Sequence, residues 1–259
     1  MDSEEAVSAF VRAGRPNGVL SGVYAFHVEQ ACNMIRPRDR VLDLGCGPAS
    51  LLASIALLNQ DSSFVGVDLS AAMIAAGNEL VRDLTASNVD LRIDDMTKLS
   101  SVESASIDVV LSSMAMHHLP DTDHLQQCFD AIERVMAPEA KVFVSDFGRI
   151  KNLKSVEYFV GRAIPKDEQI LEHDYRASLR AAFSREEFSN ALSSRLKQRI
   201  CIYSTVVSPV MVALMTPFPE SPLDTNGGAH RFVKQLPHNR RADFWQLRLL
   251  FRLGGMPSK

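Results

Sequence analysis

The sequence has few cysteines and no strong excess of charge of either sign. None of its four cysteines, Cys32, Cys46, Cys128 and Cys201, stands in a Cys-x-x-Cys pair, which argues against a zinc ribbon or a thioredoxin-like redox motif. The 28 Lys and Arg residues nearly balance 31 Asp and Glu residues, so the chain is not a strongly basic nucleic-acid binder. Hydrophobic residues at 46% and charged residues at 23% exclude intrinsic disorder and indicate a globular protein.

Signals for export or membrane insertion are also missing. The amino-terminal residues MDSEEAVSAF lack the basic and then apolar profile of a secretory signal. The late apolar run SPVMVALM is far shorter than a bilayer span. The sequence therefore predicts a cytoplasmic protein with reduced thiols and no membrane span.

The central part of the chain alternates between two kinds of pattern. β-rich runs at 40–45, 63–69, 89–95, 107–113 and 141–147 alternate with helical stretches at 50–59, 71–84 and 123–136. Strand–helix alternation of this kind predicts a doubly wound α/β fold, with a mainly parallel sheet covered on both faces. The near-continuous apolar character of the runs is typical of strands buried on both faces.

The flanking segments predict helices and one further strand pair. Residues 1–36 predict a helical cap interrupted at 14–19, and 148–196 predict a helical insertion with a capping box at Ser184 and Glu187. The apolar runs 199–207 and 209–215 predict an antiparallel hairpin, and 216–228 a loop. The predicted division is a cap at 1–36, a main domain at 37–215 and an extension at 216–259, whose last helix stops at Gly254 and Gly255.

The strongest local motif is VLDLGCGPAS at 41–50. A strand ends near Asp43, and Gly45 and Gly47 form a tight turn before a helix, where backbone N–H groups can approach a ligand. The dinucleotide fingerprint requires a third glycine where this chain has Ser50, so it matches imperfectly. Asp68 ends the next β-run, which is the position of a ribose-binding carboxylate. The alternative for Asp68 is that it caps the helix beginning at Ser70.

Further segments complete a family resemblance. DLGCGPAS followed by GVDLSAAMI resembles the first motifs of class I S-adenosylmethionine-dependent methyltransferases, small-molecule branch. LRIDDMTKL, IDVVLSSMAMHHLPD and PEAKVFVSDF resemble the family's third-, fourth- and fifth-strand segments in order, so the likeness covers about residues 35–147. Ala49 stands where many members have a third glycine. The resemblance implies a Rossmann-like seven-stranded sheet with one antiparallel strand, and a helical lid formed by the amino terminus and an insertion after the fifth strand.

The resemblance also implies a cofactor, S-adenosyl-L-methionine, and roles for individual residues. Asp43, Gly45 and Gly47 would hold its methionine end and Asp68 its ribose. Asp95 would read the adenine amino group with Met96 against the ring, and Ser112 or Ser113 would lie near the sulfonium. Tyr24 would close over the cofactor or pack a covering helix. The predicted cofactor-binding residues are Tyr24, Asp43, Gly45, Gly47, Asp68, Leu69, Asp95, Met96 and Ser112.

The catalytic and acceptor-binding residues are expected after the fourth and fifth strands. Methyl transfer is an in-line displacement that needs a general base only when the acceptor loses a proton. His117 and His118 are candidates for that base, with packing in the turn as the alternative, and Asp146 ends a strand beside them. The insertion is expected to supply the acceptor pocket, with polar candidates Asp146, Arg149, His173, Asp174, Tyr175 and Arg180. Of these, Arg149, Tyr175 and Arg180 are the predicted substrate-binding residues, and no metal site is expected.

The sequence therefore predicts methyl transfer to a small organic acceptor at nitrogen or oxygen, with carbon left open. One alternative is methylation of RNA or protein, suggested by the basic residues of the tail, although nucleic acid is not the expected partner. Others are a non-catalytic partner protein with the same fold and an NAD(P) oxidoreductase. A homodimer is compatible with the sequence.

Overall fold

A computed structural model describes residues 4–165, 168–218 and 227–257. Within them, seven strands form one sheet: β1 (Arg40–Leu44), β2 (Ser63–Asp68), β3 (Val89–Ile93), β4 (Ile107–Ser113), β5 (Met136–Phe147), β6 (Cys201–Ser204) and β7 (Met211–Met215). Their order is β3-β2-β1-β4-β5-β7-β6, and β7 runs antiparallel to both of its neighbours. The prediction of a doubly wound sheet with one antiparallel strand is confirmed.

Helices cover this sheet on both faces. They are α1 (Glu4–Ala13), α2 (Ser21–Cys32), α3 (Ser50–Leu58), α4 (Ala71–Asp83), α5 (Thr122–Val135), α6 (Leu153–Ala163), α7 (Gln169–Ala181), α8 (Arg185–Ala191), α9 (Ser194–Arg199), α10 (Gly228–Gln235) and α11 (His238–Leu253), with a 3-10 turn at Met116–His118. No helix of the described residues is long and apolar enough to cross a bilayer.

Short polar side chains begin several of these helices. The Ser70 Oγ accepts a hydrogen bond from the Met73 N–H at the start of α4, and an Asp121 oxygen accepts one from the His124 N–H at the start of α5. Ser184 and Glu187 form the predicted capping box at α8. Because Ser70 itself caps α4, the Asp68 carboxylate is not the cap of that helix.

Two apolar clusters lie on opposite faces of the sheet. Along β1, Val41 belongs to one cluster and Leu42 to the other, as the alternation of side chains in a strand requires. Helices α2, α3 and α11 contribute to the first cluster, and α5 and α8 to the second. The strands are therefore buried on both faces, as their apolar runs predict.

Both ends of the chain cover the same face. The rings of Phe26 in α2 and Phe251 in α11 stack with centroids 5.2 Å apart, and Phe244 of α11 is also buried. The predicted cap, main domain and extension thus all contribute residues to one apolar cluster. Their division into separate domains stays a prediction. The predicted loop at 216–228 lies largely outside the described residues, which omit 219–226.

Strand limits differ from the sequence-based expectation in two places. Strand β5 begins at Met136, whereas the sequence predicts its start at 141. The pairing of β5 with β4 changes register between Ile107 and Val109, and this irregularity lets the first residues of β5 pair with β4 as well. In the predicted hairpin, β6 ends at Ser204 and β7 begins at Met211. The antiparallel pairing is confirmed, but the loop between the two strands is longer than predicted.

Candidate functional site

A cavity of about 400 Å³ opens at the carboxyl ends of β1, β2 and β4. Strand β1 lies between β2 and β4, so the chain reverses its direction of winding at this point. Open α/β sheets bind ligands in the crevice that such a reversal creates. Volumes of this size are typical of sites for small molecules and cofactors.

The glycine turn after β1 forms one wall. Gly45 and Gly47 have φ angles of +65° and +53°, in the left-handed region that glycine adopts without steric cost. A Cβ at Gly45 would collide with the Ala115 Cβ, whereas a Cβ at Gly47 would meet no atom within 4 Å. Gly47 therefore faces open space, directly before α3. Ala49 also has a left-handed φ, +56°, which explains why a glycine is suited to that position.

Two carboxylates stand beside this turn. The Asp68 oxygens accept hydrogen bonds from the N–H groups of Gly47 and Ser70, both at 2.9 Å, so Asp68 links the ends of β1 and β2. Each oxygen retains a second lone pair for a ligand hydroxyl. Burial, and then the charge of Asp68, raise the pKa of Asp43 to about 8. Tyr24 lines the same cavity, and burial also raises the pKa of its phenol.

The segment after β3 brings a different acid to the cavity from the one predicted. Asp94 and Met96 line the wall, whereas Asp95 does not. The Asp95 carboxylate accepts hydrogen bonds from the Thr97 N–H and hydroxyl and pairs with Lys98 at 3.0 Å. Because β3 ends at Ile93, strand alternation no longer determines which of the two acids faces the cavity.

At the end of β4 the two serines have different surroundings. Ser112, the predicted residue, is buried and donates its hydroxyl to the Leu44 carbonyl, and it does not line the main cavity. Ser113 does line it, with its Oγ 2.5 Å from Nδ1 of His27. His27 was not singled out from the sequence, and burial lowers its pKa to about 3. It therefore stays neutral beneath the cavity at ordinary pH.

A histidine held by a buried carboxylate forms the opposite wall. The His117 Nδ1 lies 2.6 Å from an Asp146 oxygen, and the other oxygen accepts a bond from the His117 N–H. Both side chains are almost fully buried. With Nδ1–H donating to the carboxylate, Nε2 is the free acceptor, and it has no hydrogen-bond partner among the described residues. His117 lines the cavity wall, while its Nε2 atom is itself buried.

The space around His117 is mainly apolar. Phe147 contacts the His117 ring at a centroid distance of 5.0 Å and packs edge-on against Tyr175 of α7 at 5.4 Å. The predicted Tyr175 therefore lines the cavity, as does His118, whose pKa is lowered to about 4 by desolvation and then by His117. Further apolar walls come from α1 and the segments beside it and from the insertion: Phe10, Val19, Leu20, Ile164 and Leu171.

Two predicted acceptor-binding residues are not brought to the cavity. Arg149 donates to the Ala182 carbonyl and pairs with Glu187 at 2.8 Å, and Arg180 lies 3.6 Å from Glu157. Neither lines the cavity wall. Their guanidinium groups are held at the surface of the insertion, where they join helices to each other.

The charge of the wall suits a cationic ligand. Among the residues described, the wall carries the carboxylates of Asp68, Asp94 and Asp174 and no Lys or Arg side chain, and it also carries the carboxyl group of Asp43, whose raised pKa a bound cation would lower. One oxygen of Asp174 is buried without a hydrogen-bond partner in the described part of the chain. A sulfonium and an ammonium group complement such a wall, and the first N–H groups of α3, which have no acceptor within the helix, complement a carboxylate. The residues present therefore fit S-adenosylmethionine.

Comparisons with known proteins agree with this fit. A family model described as "Methyltransferase domain" matches residues 35–191. The ubiquinone biosynthesis O-methyltransferase of Acinetobacter baumannii is 28% identical over 158 residues, covering 59% of this chain and 62% of that protein. The chain thus spans about 62% of the length of this curated relative.

Solved structures show the same fold at low sequence identity. A SAM-dependent methyltransferase from Aquifex aeolicus superposes with a TM-score of 0.52 at 16% identity, over 74% of this chain and 88% of that one. A second structure is the geranyl diphosphate C-methyltransferase of Streptomyces coelicolor A3(2), solved with Mg²⁺, geranyl diphosphate and S-adenosyl-L-homocysteine. It superposes with a TM-score of 0.53 at 14% sequence identity, over 90% of this chain and 76% of that one. With a family model matching more than half of its residues, the chain belongs to the class I S-adenosylmethionine-dependent methyltransferases.

Proposed function

We propose that this chain transfers the methyl group of S-adenosyl-L-methionine to an oxygen or nitrogen atom of a small organic acceptor. One observation carries the proposal. A single cavity is lined both by the glycine turn with the acids at the ends of β1 and β2 and by His117, whose ring Asp146 holds from behind the wall. The first of these groups suits the donor, and the second suits an acceptor that must lose a proton.

The donor end would use residues at the carboxyl ends of β1, β2 and β3. The first N–H groups of α3, directly after the glycine turn, would meet the methionine carboxylate, and Asp43 its ammonium group. Asp68 would accept bonds from the ribose hydroxyls. Asp94 is the acid that we place against the adenine, because it lines the wall beside Met96 and Asp95 does not. Its carboxylate accepts bonds from Ser100 and Ser101 and would exchange one of them for the adenine amino group. When bound, the cofactor supplies a methyl group on a sulfonium, whose sulfur leaves as a neutral thioether.

The acceptor end would manage the proton. As the acceptor's lone pair forms its bond to the methyl carbon, its O–H or N–H proton passes to His117 Nε2. Asp146 would stabilise the imidazolium that forms, and its bond to Nδ1 leaves Nε2, which is buried in this structure, as the nitrogen that takes the proton. With a pKa of about 4, His118 is a poor base at neutral pH and instead contributes a neutral wall. Of the two predicted histidines, we therefore assign the role of general base to His117.

The lid helices would exclude water from the reaction. Phe10 of α1 and Leu171 and Tyr175 of α7 line the cavity from outside the sheet. A dry cavity strengthens the electrostatic interactions within it and suppresses reaction of the donor with water. Opening of these helices is then needed for product release and can limit turnover.

The acceptor is expected to be uncharged or cationic and largely apolar. The described wall offers aromatic and aliphatic surface and no cationic side chain for a carboxylate or a phosphate. Oxygen is favoured over nitrogen because the curated relative is named as an O-methyltransferase. The basic residues that suggested an RNA acceptor lie on α10 and α11 and do not line this cavity.

Methyl-labelled donor tests the proposal. The chain is incubated with labelled S-adenosylmethionine and neutral phenols, catechols or aryl amines, and in parallel with RNA and protein. We expect label in the small-molecule fraction, and we expect S-adenosylhomocysteine but not NADH to raise the Tm. Label confined to RNA or protein, or stabilisation by NADH alone, would contradict the proposal.

A further inference from the structure

The outer face of α11 carries a row of large apolar side chains in water. Trp245, Leu249 and Leu253 are 51%, 54% and 64% exposed, and they are spaced four residues apart. Residues at this spacing lie on one side of a helix. We refer to these three residues as the α11 stripe. The opposite side of the helix is buried through Phe244, Leu247 and Phe251, so packing among the residues that the structure describes does not account for the stripe.

The segment that contains this stripe is rich in basic residues. Residues 227–257 contain six Lys and Arg residues and one acidic residue, Asp243, while the whole chain has a net charge of −3. Arg252 is exposed beside Leu253, and the Arg248 guanidinium lies 5.3 Å from the centre of the Trp245 ring. Asp243 pairs with Arg240 at 3.1 Å and Glu29 with Arg248 at 3.4 Å, so Arg252 is the exposed basic residue directly beside the stripe. The acidic excess of the chain lies outside this segment.

We propose that the α11 stripe and its basic surroundings dock the chain on an anionic lipid surface. Tryptophan and leucine on one side of a helix, with arginine and lysine around them, are typical of helices that lie in the plane of a membrane interface. The leucines would enter the boundary of the acyl chains, and the indole would lie at the depth of the headgroups. Each basic residue near an anionic surface adds about 1 kcal/mol of attraction at moderate ionic strength.

A neighbouring loop extends the exposed apolar surface. Gly254, directly after α11, packs against the Ser204 carbonyl at the end of β6. The hairpin that continues from Ser204 carries Val207, which is fully exposed and has a left-handed φ of +71°. A β-branched residue in that conformation is uncommon, and here its side chain is entirely in solvent.

Two other occupants fit the surface less well. In a symmetric dimer the same patch faces itself, which would bring two basic surfaces together. RNA would pair with the basic residues through its phosphates but would leave Leu249 and Leu253 in water. An anionic bilayer satisfies both features, because it offers negative headgroups above an apolar layer.

The fluorescence of Trp245, the only tryptophan in the sequence, reports directly on docking. The full chain is titrated with vesicles of phosphatidylcholine, with and without about one-third phosphatidylglycerol, at low and high salt. We expect a shift of emission to shorter wavelength with the anionic vesicles, weaker at high salt and small with neutral vesicles.

Paired variants locate the surface. Leu249→Gln with Leu253→Gln should lower the vesicle partition coefficient by about tenfold or more, since both side chains lose their burial in lipid. Leu153→Gln is the matched control, because Leu153 on α6 is 68% exposed on a different element. A Tm shift with S-adenosylhomocysteine shows that each variant is folded.

Three results would overturn the proposal. The first is equal binding of the chain to neutral and anionic vesicles. The second is a loss of vesicle binding in Leu153→Gln as large as the loss in the double leucine variant. The third is a shift of Trp245 emission that RNA causes and vesicles do not. Self-association in sedimentation that disappears in the double leucine variant, without vesicle binding by the parent chain, would assign the face to a second copy instead.

Discussion

The two ends of the cavity are built in different ways. The donor end consists of turns that directly follow β1 and β2, and backbone bonds such as Gly47 N–H to Asp68 hold them together. The acceptor end is assembled from distant segments: α1, the 3-10 turn after β4, the end of β5, and α7. Local geometry therefore determines the donor end, and tertiary packing determines the acceptor end.

This difference predicts separable effects of substitution. A change at the donor end should alter cofactor affinity, while a change at the acceptor end should alter turnover and leave cofactor affinity as it was. The following predictions test that separation, from the largest effect to the smallest.

His117→Gln should lower kcat by about 10²- to 10⁴-fold, with any acceptor that loses a proton, because the proton then has no base. The affinity for S-adenosylhomocysteine, measured by calorimetry, should not change. Asp146→Asn should also lower kcat, and both losses should be smaller at high pH, where the acceptor ionises without help.

His124 provides a matched control for this prediction. Its Nδ1 lies 2.7 Å from an Asp121 oxygen, in a histidine–carboxylate pair like that of His117, but the pair is exposed at the start of α5. His124→Gln should therefore retain the parent kcat. An equal loss in the two glutamine variants would show that neither histidine acts as a base.

Asp68→Ala should weaken binding of S-adenosylhomocysteine by about tenfold to a hundredfold, since hydrogen bonds to a charged acceptor contribute about 1.5–3 kcal/mol. The KM for the acceptor should change less. Calorimetry of the variant measures the first effect and steady-state kinetics the second. Unchanged cofactor affinity would exclude the ribose role of Asp68.

Asp43→Asn should flatten the dependence of stability on pH. Asp43 has a pKa of about 8 in the folded chain, raised above its ordinary value, so folding favours its protonated form. That stabilisation is complete below the unfolded pKa near 4 and is lost as pH rises toward 8. Between pH 5 and 8 we expect the parent's Tm to fall by about 5 °C or more relative to that of the variant. Parallel profiles in thermal melts would contradict a raised pKa.

The smallest expected effect on cofactor affinity is that of the adenine contact, which is tested with Asp94→Asn and Asp95→Asn. Loss of one such hydrogen bond costs about 1 kcal/mol, or a few-fold in affinity. We expect the larger loss in Asp94→Asn, and little further loss when S-inosylhomocysteine, which lacks the adenine amino group, is the ligand. The reverse order would restore the sequence-based assignment to Asp95.

The sequence predicts the donor end better than the acceptor end for a physical reason. Asp43, Gly45, Gly47 and Asp68 lie within 26 consecutive residues and occupy turns whose conformation depends on the local residue types. All four line the cavity. The sequence leaves Ser112 and Ser113 open, and in the structure Ser113 lines the cavity, because neighbouring residues of a strand point to opposite faces.

The acceptor end depends on contacts that no local pattern encodes. His117 and Asp146 are 29 residues apart, and they meet because β4 and β5 are neighbours in the sheet. Both residues are candidates from the sequence alone, but the hydrogen bond between them is seen only in the structure. Arg149 was predicted from its place after β5, yet its ion pair with Glu187 draws it away from the cavity. The cavity residues of α1 and the loop after it carry no sequence signal beyond being apolar.

A crystal structure of the chain with S-adenosylhomocysteine tests the central claim most directly. We predict the ligand in this cavity, with its carboxylate at the glycine turn, its ribose on Asp68 and its sulfur facing the space beside His117. A ligand bound elsewhere, or a sulfur turned away from His117, would contradict the account.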